Sequence, residues 1–184
     1  MKILAVSGSL RAGSFNTALA RAAIEHAPAG VEIELYDGLA WIPPYDGDAD
    51  DDDPPVPVRD LRDRITAADA LLVVTPEYNG SIPGVLKNAI DWASRPHREA
   101  ALWGKTVAVA GATTGQYGAI WAQQDLRRVL GMAGARVVEG ELPVPRAQDK
   151  FDAEGKLLDP AIVERLKTHL VALVAEAAPT AVAA

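Results

Sequence analysis

Three short segments concentrate the residue types that handle small charged or planar ligands. The first, GSLRAGSFN at 8–16, sets the hydroxyls of Ser9 and Ser14, with Ser7 just before them, around one cation, Arg11. It lies between an apolar run and a helix-period segment, where free N–H groups and partial positive charge face whatever occupies the turn. A guanidinium there adds forked donors that match phosphate oxygens. Phosphate binding competes evenly with a capped turn carrying a solvated arginine. The second segment, TPEYNGSIPGVLKNAIDW at 75–92, packs Pro76, Tyr78, Asn79, Gly80 and Pro83 into a rigid turn. Such a turn offers backbone N–H groups and an aromatic face to a planar ring, although Tyr78 also suits an ordinary surface. The third, GATTGQYG at 111–118, uses Gly111, Gly115 and Gly118 to let backbone approach a ligand, beside Thr113, Thr114, Gln116 and Tyr117. Its plain alternative is a long flexible turn.

Other chemistries fail on particular residues. Gly8 and Gly13 have Walker A spacing, but Ser14-Phe15 stands where Lys-Ser/Thr is required, and no G-x-G-x-x-G follows Val6. A phosphate monoester suits the first loop better than a dinucleotide bridge. With no cysteine, thiolate metal sites, disulfides and a phosphatase-type cysteine nucleophile are absent. No G-x-S-x-G elbow supports a serine hydrolase. The acidic run Asp46, Asp48 and Asp50–Asp53 lacks the glycine and glutamate of an EF-hand, with Asp51 and Pro57 in their places, and reads as a solvated loop. His26, His97 and His169 make no i, i+4 pair. No residue is assigned as catalytic or as a metal ligand.

The elements that must position these loops alternate along 184 residues. Lys2–Ser7, Val31–Tyr36, Ala70–Thr75, Thr106–Ala110 and Arg136–Glu139 read as strands. VEIELY alternates, as a less buried strand does, whereas ALLVVT and TVAVA are nearly continuous, as central parallel strands are. Helices are expected from about Asn16 to Ala27, Val58 to Ala68, Gly84 to Ser94 and Gly118 to Ala133, the last stopped by Gly134. Val85, Leu86, Ala89 and Ile90 are expected in the core. A final helix starts at Asp159-Pro160 with an apolar stripe of Ile162, Leu166, Leu170 and Leu173, and the tail from about 177 is expected to fray. Right-handed crossovers convert this order into an α/β, three-layer, doubly wound five-stranded parallel sheet, order 2-1-3-4-5. The three loops then gather at the carboxyl ends of strands 1, 3 and 4.

Composition bounds the rest. The length suits one domain over 1–184, and 49% hydrophobic with 23% charged residues fits a globular chain. A net charge of −7 argues against nucleic acid, and the apolar run Ile3–Val6 is too short for a signal-peptide core. No run reaches a membrane span, so a cytoplasmic protein acting on something small is expected.

GSLRAGSFN after the first strand and PEYNGSIPGVLKNAIDW after the third together resemble the NADPH-dependent FMN reductase family, whose relatives include quinone, chromate and azo-dye reductases on a flavodoxin-like fold. The resemblance covers residues 1 to about 175. It implies an FMN phosphate gripped by Ser9, Arg11, Ser14, Asn16 and Thr17. It also implies an isoalloxazine ring held by Pro76, Glu77, Tyr78 and Asn79, with Thr113 and Gly115 covering its other side. NADPH or NADH would supply hydride, and a quinone, flavin, azo compound or metal oxyanion would accept electrons. A homodimer or homotetramer with the flavin near an interface is implied as well. The rival reading is a flavodoxin-type electron carrier without NAD(P)H turnover.

Overall fold

The computed structural model describes residues 1–178. The apolar runs form β1 (Lys2–Ser7), β2 (Glu32–Tyr36), β3 (Ala70–Val74), β4 (Thr106–Ala112), β5 (Arg136–Val137) and β6 (Leu142–Val144). They pair in parallel in the order β2-β1-β3-β4-β5, with Ile3 opposite Ala70 and Ala70 opposite Thr106. Helices α1 (Phe15–Glu25) and α5 (Pro160–Ala177) cover one face; α2 (Val56–Ala67), α3 (Gly84–Ala93) and α4 (Ile120–Met132) cover the other. The strand period of two divides the core accordingly. Ile3, Ala5, Leu72 and Ala108 face α1 and α5, while Leu4, Val6, Leu71 and Val107 face the other three helices. Every residue of β3 and β4 is buried, whereas β2, at the sheet edge, is partly exposed.

The helix ends follow the sequence signals. Asp159 caps α5 by accepting from Ala161 and Ile162 N–H, and Ile162, Leu166, Leu170 and Leu173 are buried. After α4 the chain turns through Gly134, φ 89°, where a Cβ would lie 2.2 Å from Trp103. Ala177, where fraying was expected to begin, is the last residue of α5; residues 179–184 lie outside those described.

Three features depart from expectation. The fifth strand stops at Val137, and the chain bulges out through Gly140 before β6 rejoins β4 at Ala110–Ala112. This sixth strand has three residues, Leu-Pro-Val, too short and proline-broken to read as a strand. Side chains stitch the gap. His169 Nε2 lies 3.0 Å from the edge-facing Val109 carbonyl, and Arg127 donates to the carbonyls of Val138 and Gly140. His169 is thus a core residue, and burial lowers its pKa below the ordinary value. Second, the acidic segment is not uniformly solvated. Asp50 pairs with Arg62 at 2.6 Å, both largely buried, and Arg62 also donates to the Trp92 carbonyl at the end of α3. Asp51, Asp52 and Asp53 remain exposed. Third, Val85 is exposed, while Leu86, Ala89 and Ile90 pack in the core.

Candidate functional site

The first loop is shaped by its contact with β3 and α3. Gly8 donates to the Val74 carbonyl at 2.8 Å, and a Cβ on it would lie 2.9 Å from Leu86 Cδ2. Ser14 then caps α1, its Oγ accepting from Asn16 and Thr17 N–H at 3.2 and 3.3 Å. The Thr17 hydroxyl is 2.9 Å from that of Ser7. Among the described residues, the N–H groups of residues 10–13 have no hydrogen-bond acceptor. Arg11 is exposed, sits 5.9 Å from the Phe15 ring centroid and has no carboxylate partner there either. Unpaired N–H groups near a helix start, two serine hydroxyls and an exposed guanidinium are a donor set that could hold a phosphate.

The second loop is a tight hairpin. Tyr78 and Ser81 exchange backbone bonds at 3.0 and 3.1 Å around Asn79, φ 54°, and Gly80, φ 76°. Positive φ at both central positions marks a type I′ turn, which Asn-Gly favours. The turn leaves the Tyr78 ring exposed. Glu77 fixes the loop to α4. That helix begins after Ala119, φ 60°, which supplies no side-chain cap, and Glu77 Oε2 instead accepts from Ala122 N–H at 3.2 Å. A carboxylate there also complements the helix dipole. Ser81 donates to Asp125, which Arg128 also engages, and these bonds hold the Asp125 carboxyl below the usual range.

The third loop is tied to the first by Asn16. Its Nδ2 donates to the Ala112 carbonyl at 3.0 Å, and its Oδ1 accepts from Ala112 N–H at 2.9 Å. Beyond Ala112, Thr113 donates to the Val144 carbonyl and accepts from Ala147 N–H, at 3.1 and 3.0 Å. Gly111 and Gly118 serve close packing of protein on protein rather than approach to a ligand. A Cβ at Gly111 would lie 2.8 Å from the Thr75 carbonyl oxygen, and one at Gly118, φ 63°, would lie 2.7 Å from Val144 N. Gly115 is unconstrained, with nothing nearer than 3.8 Å to such a Cβ.

One cleft results, lined by Ser9, Arg11, Ser14, Asn16, Pro76, Glu77, Tyr78 and Thr113 from the sequence reading. Thr17, Asn79 and Gly115 neighbour these residues without lining the cleft themselves. Phe15, Ala112 and Thr114 complete the lining. Thr114 stood out in sequence as a polar loop residue. Phe15 and Ala112 did not, because an apolar residue beside a loop carries no signal of its own. Tyr117 turns to Trp121 instead, ring centroids 4.9 Å apart. The donor set fits FMN: an anion nest with Arg11 at one end, and proline, tyrosine and threonine surfaces for a flat ring at the other.

A doubly wound sheet of order 2-1-3-4-5 with this cleft at its carboxyl edge defines a flavodoxin-like nucleotide-binding protein. The family model for NADPH-dependent FMN reductase matches residues 1–149, and the chain belongs to that family. It is 45% identical over 174 residues to an NAD(P)H-dependent FMN reductase of Pseudomonas aeruginosa, covering 94% of this chain and 93% of that protein. It is 39% identical over 171 residues to a 2-hydroxy-1,4-benzoquinone reductase of Burkholderia sp, covering 92% of each. Its fold matches FerB, a flavoenzyme NAD(P)H:(acceptor) oxidoreductase from Paracoccus denitrificans, at TM-score 0.83 and 34% identity over 96% of both chains. The protein is an FMN-dependent NAD(P)H oxidoreductase, with FMN and a pyridine nucleotide as its cofactors. No helix among the described residues is long and apolar enough to cross a membrane.

Proposed function

We propose that the three-loop cleft holds FMN and that a quinone is the electron acceptor. The observation that carries this reading is the set of unpaired N–H groups at residues 10–13 in the loop whose Ser9, Arg11 and Ser14 line one cleft with Pro76, Tyr78 and Thr113. Arg11, Ser9, Ser14 and the start of α1 take the phosphate. Pro76, Glu77, Tyr78 and the Asn79 backbone flank the ring, with Thr113 and Gly115 on its other side. Asn16 and Thr17 act by positioning, since their side chains are engaged with Ala112 and Ser7. Once held there, FMN would supply the redox chemistry, hydride acceptance from the nicotinamide and electron delivery to the quinone. The chain's task is to hold the ring rigidly and leave one face open to nicotinamide and acceptor in turn.

The quinone assignment is supported by the benzoquinone reductase relative. We assign the protein to the cytoplasm, where its hydride donor resides. A homodimer or homotetramer is supported by aromatic side chains left exposed beside the cleft, Tyr78, Tyr117 and Trp121. Light scattering of the FMN-loaded protein reads that state directly. Steady-state oxidation of NADPH with a benzoquinone tests the function. Turnover that requires FMN supports a reductase, and FMN binding without turnover supports a carrier.

A further inference from the structure

The protein's charge poses a problem for its hydride donor. A chain of net charge −7 repels a pyridine nucleotide, which brings a pyrophosphate and, in NADPH, a further 2′-phosphate. A cation at the cleft besides Arg11, which the reading above assigns to the FMN phosphate, would offset that repulsion. Most cations around the third loop are engaged. Lys150 pairs with Asp159, Arg127 with Glu141, and Arg165 donates to the Pro143 carbonyl.

Arg146 differs from all of them. Its side chain is exposed and meets no carboxylate among the described residues. Its backbone, however, is firmly held: its N–H donates to the Gly115 carbonyl at 2.9 Å, and that of the fully buried Ala147 donates to the Thr113 carbonyl at 3.0 Å. These bonds attach Arg146 to the loop whose Thr113 and Thr114 line the cleft. Arg146 also adopts φ 49°, the left-handed region, which is disfavoured for a residue with a Cβ. Glycine or asparagine would occupy that backbone with less strain. The other left-handed residues in these loops have local explanations, Asn79 in the hairpin turn and Ala119 at the entry to α4. Arg146 likewise stands at the entry to a short 3-10 turn, Ala147–Asp149, but its exposed side chain makes no hydrogen bond or ion pair among the described residues. An unpaired guanidinium carried by a backbone bonded to Gly115 and Thr113 is held close to the cleft loop and left available to an anion.

We propose that Arg146 is a specificity-determining residue that binds a phosphate group of the pyridine nucleotide. The inference rests on the FMN-cleft reading for the direction from which the nucleotide arrives. A guanidinium suits this task because its forked donors match phosphate geometry.

The test compares wild type with Arg146→Gln, Arg146→Lys and Arg146→Gly, the last of which relieves the backbone strain while removing the charge. In FMN-loaded enzyme, Arg146→Gln and Arg146→Gly are expected to raise KM for NADPH about tenfold or more, the scale of one lost charge-assisted bond, with kcat within about twofold. Arg146→Lys is expected to recover part of the loss. FMN affinity, read from quenching of flavin fluorescence, is expected to stay unchanged. A loss confined to NADPH places the 2′-phosphate on Arg146; an equal loss with NADH places the pyrophosphate there. Calorimetric titration of FMN-free protein with 2′,5′-ADP and with ADP reads the same residue independently of flavin, so failure of the FMN reading and failure of this one are separable. Unchanged KM for both nucleotides with unchanged ADP and 2′,5′-ADP binding would overturn the proposal. So would a fall in FMN affinity with KM unaffected.

Discussion

Replacing Asn16 by alanine should destabilise the protein before any flavin is added. The Asn16 amide satisfies both the N–H and the carbonyl of Ala112, a residue only 2% exposed. Alanine leaves two buried backbone groups unpaired, each costing about 1–3 kcal/mol, or about 2–6 kcal/mol together. The better helix propensity of alanine near the start of α1 returns at most about 0.7 kcal/mol. Set against the 5–15 kcal/mol typical of a domain, this is a large loss. Urea unfolding of the FMN-free protein measures it. With a slope of about 1–3 kcal/mol per molar urea, the midpoint should fall by roughly 1 M or more. Asn16→Asp is a shape-matched control: it keeps an acceptor for the Ala112 N–H but turns an oxygen toward the Ala112 carbonyl, so it should also be destabilised at neutral pH. The resemblance alone makes Asn16 a phosphate ligand, whose loss would weaken only the FMN-loaded form. An FMN-free Asn16→Ala protein with a wild-type midpoint would refute the clamp.

Arg11→Ala should weaken FMN binding by about 1.5–3 kcal/mol, roughly ten- to a hundred-and-fifty-fold, read by fluorescence titration, with little change in stability of the FMN-free chain. Gly118→Ala should lower the melting temperature markedly, since it combines a left-handed φ with a Cβ 2.7 Å from Val144 N, whereas Gly115→Ala should leave it nearly unchanged. His169 carries a pH signature. Burial lowers its folded pKa, so the unfolded chain takes up the proton first, and stability falls as pH drops below about 6.5. The slope is at most about 1.4 kcal/mol per pH unit down to the folded pKa. Denaturant melts at pH 7.5 and 5.5 should show His169→Gln, which keeps a donor for the Val109 carbonyl, losing less stability than wild type over that interval. An identical loss in both would count against the assignment.

Much of this fold is legible in sequence because its signals are local. The continuous apolar runs of β3 and β4, the alternation in β2, Gly134 after α4 and the Asp159-Pro160 start of α5 each follow from neighbouring residues. The loops of the site are equally visible, since parallel doubly wound topology brings the ends of β1, β3 and β4 together. What stays hidden depends on partners distant in the chain. Asn16 reads as a ligand until Ala112, 96 residues on, is seen to occupy its amide. Glu77 reads only as a ring contact, and its second task, accepting from Ala122 N–H at the uncapped start of α4, is invisible in sequence. The split between β5 and β6 is invisible because its missing ladder bond is supplied by His169, a side chain on α5 sixty residues from Val109. The glycines at 111 and 118 have the right identity for a reason that only packing reveals.

The most direct test is the visible absorption spectrum of FMN-reconstituted protein, recorded without oxygen before and after NADPH. A perturbed, protein-bound flavin spectrum that bleaches rapidly on NADPH addition is the expected result, and Arg11→Ala should need more FMN to reach it. A flavin that binds but stays oxidised with both NADPH and NADH, or a protein that binds no flavin at all, would contradict the assignment of this cleft.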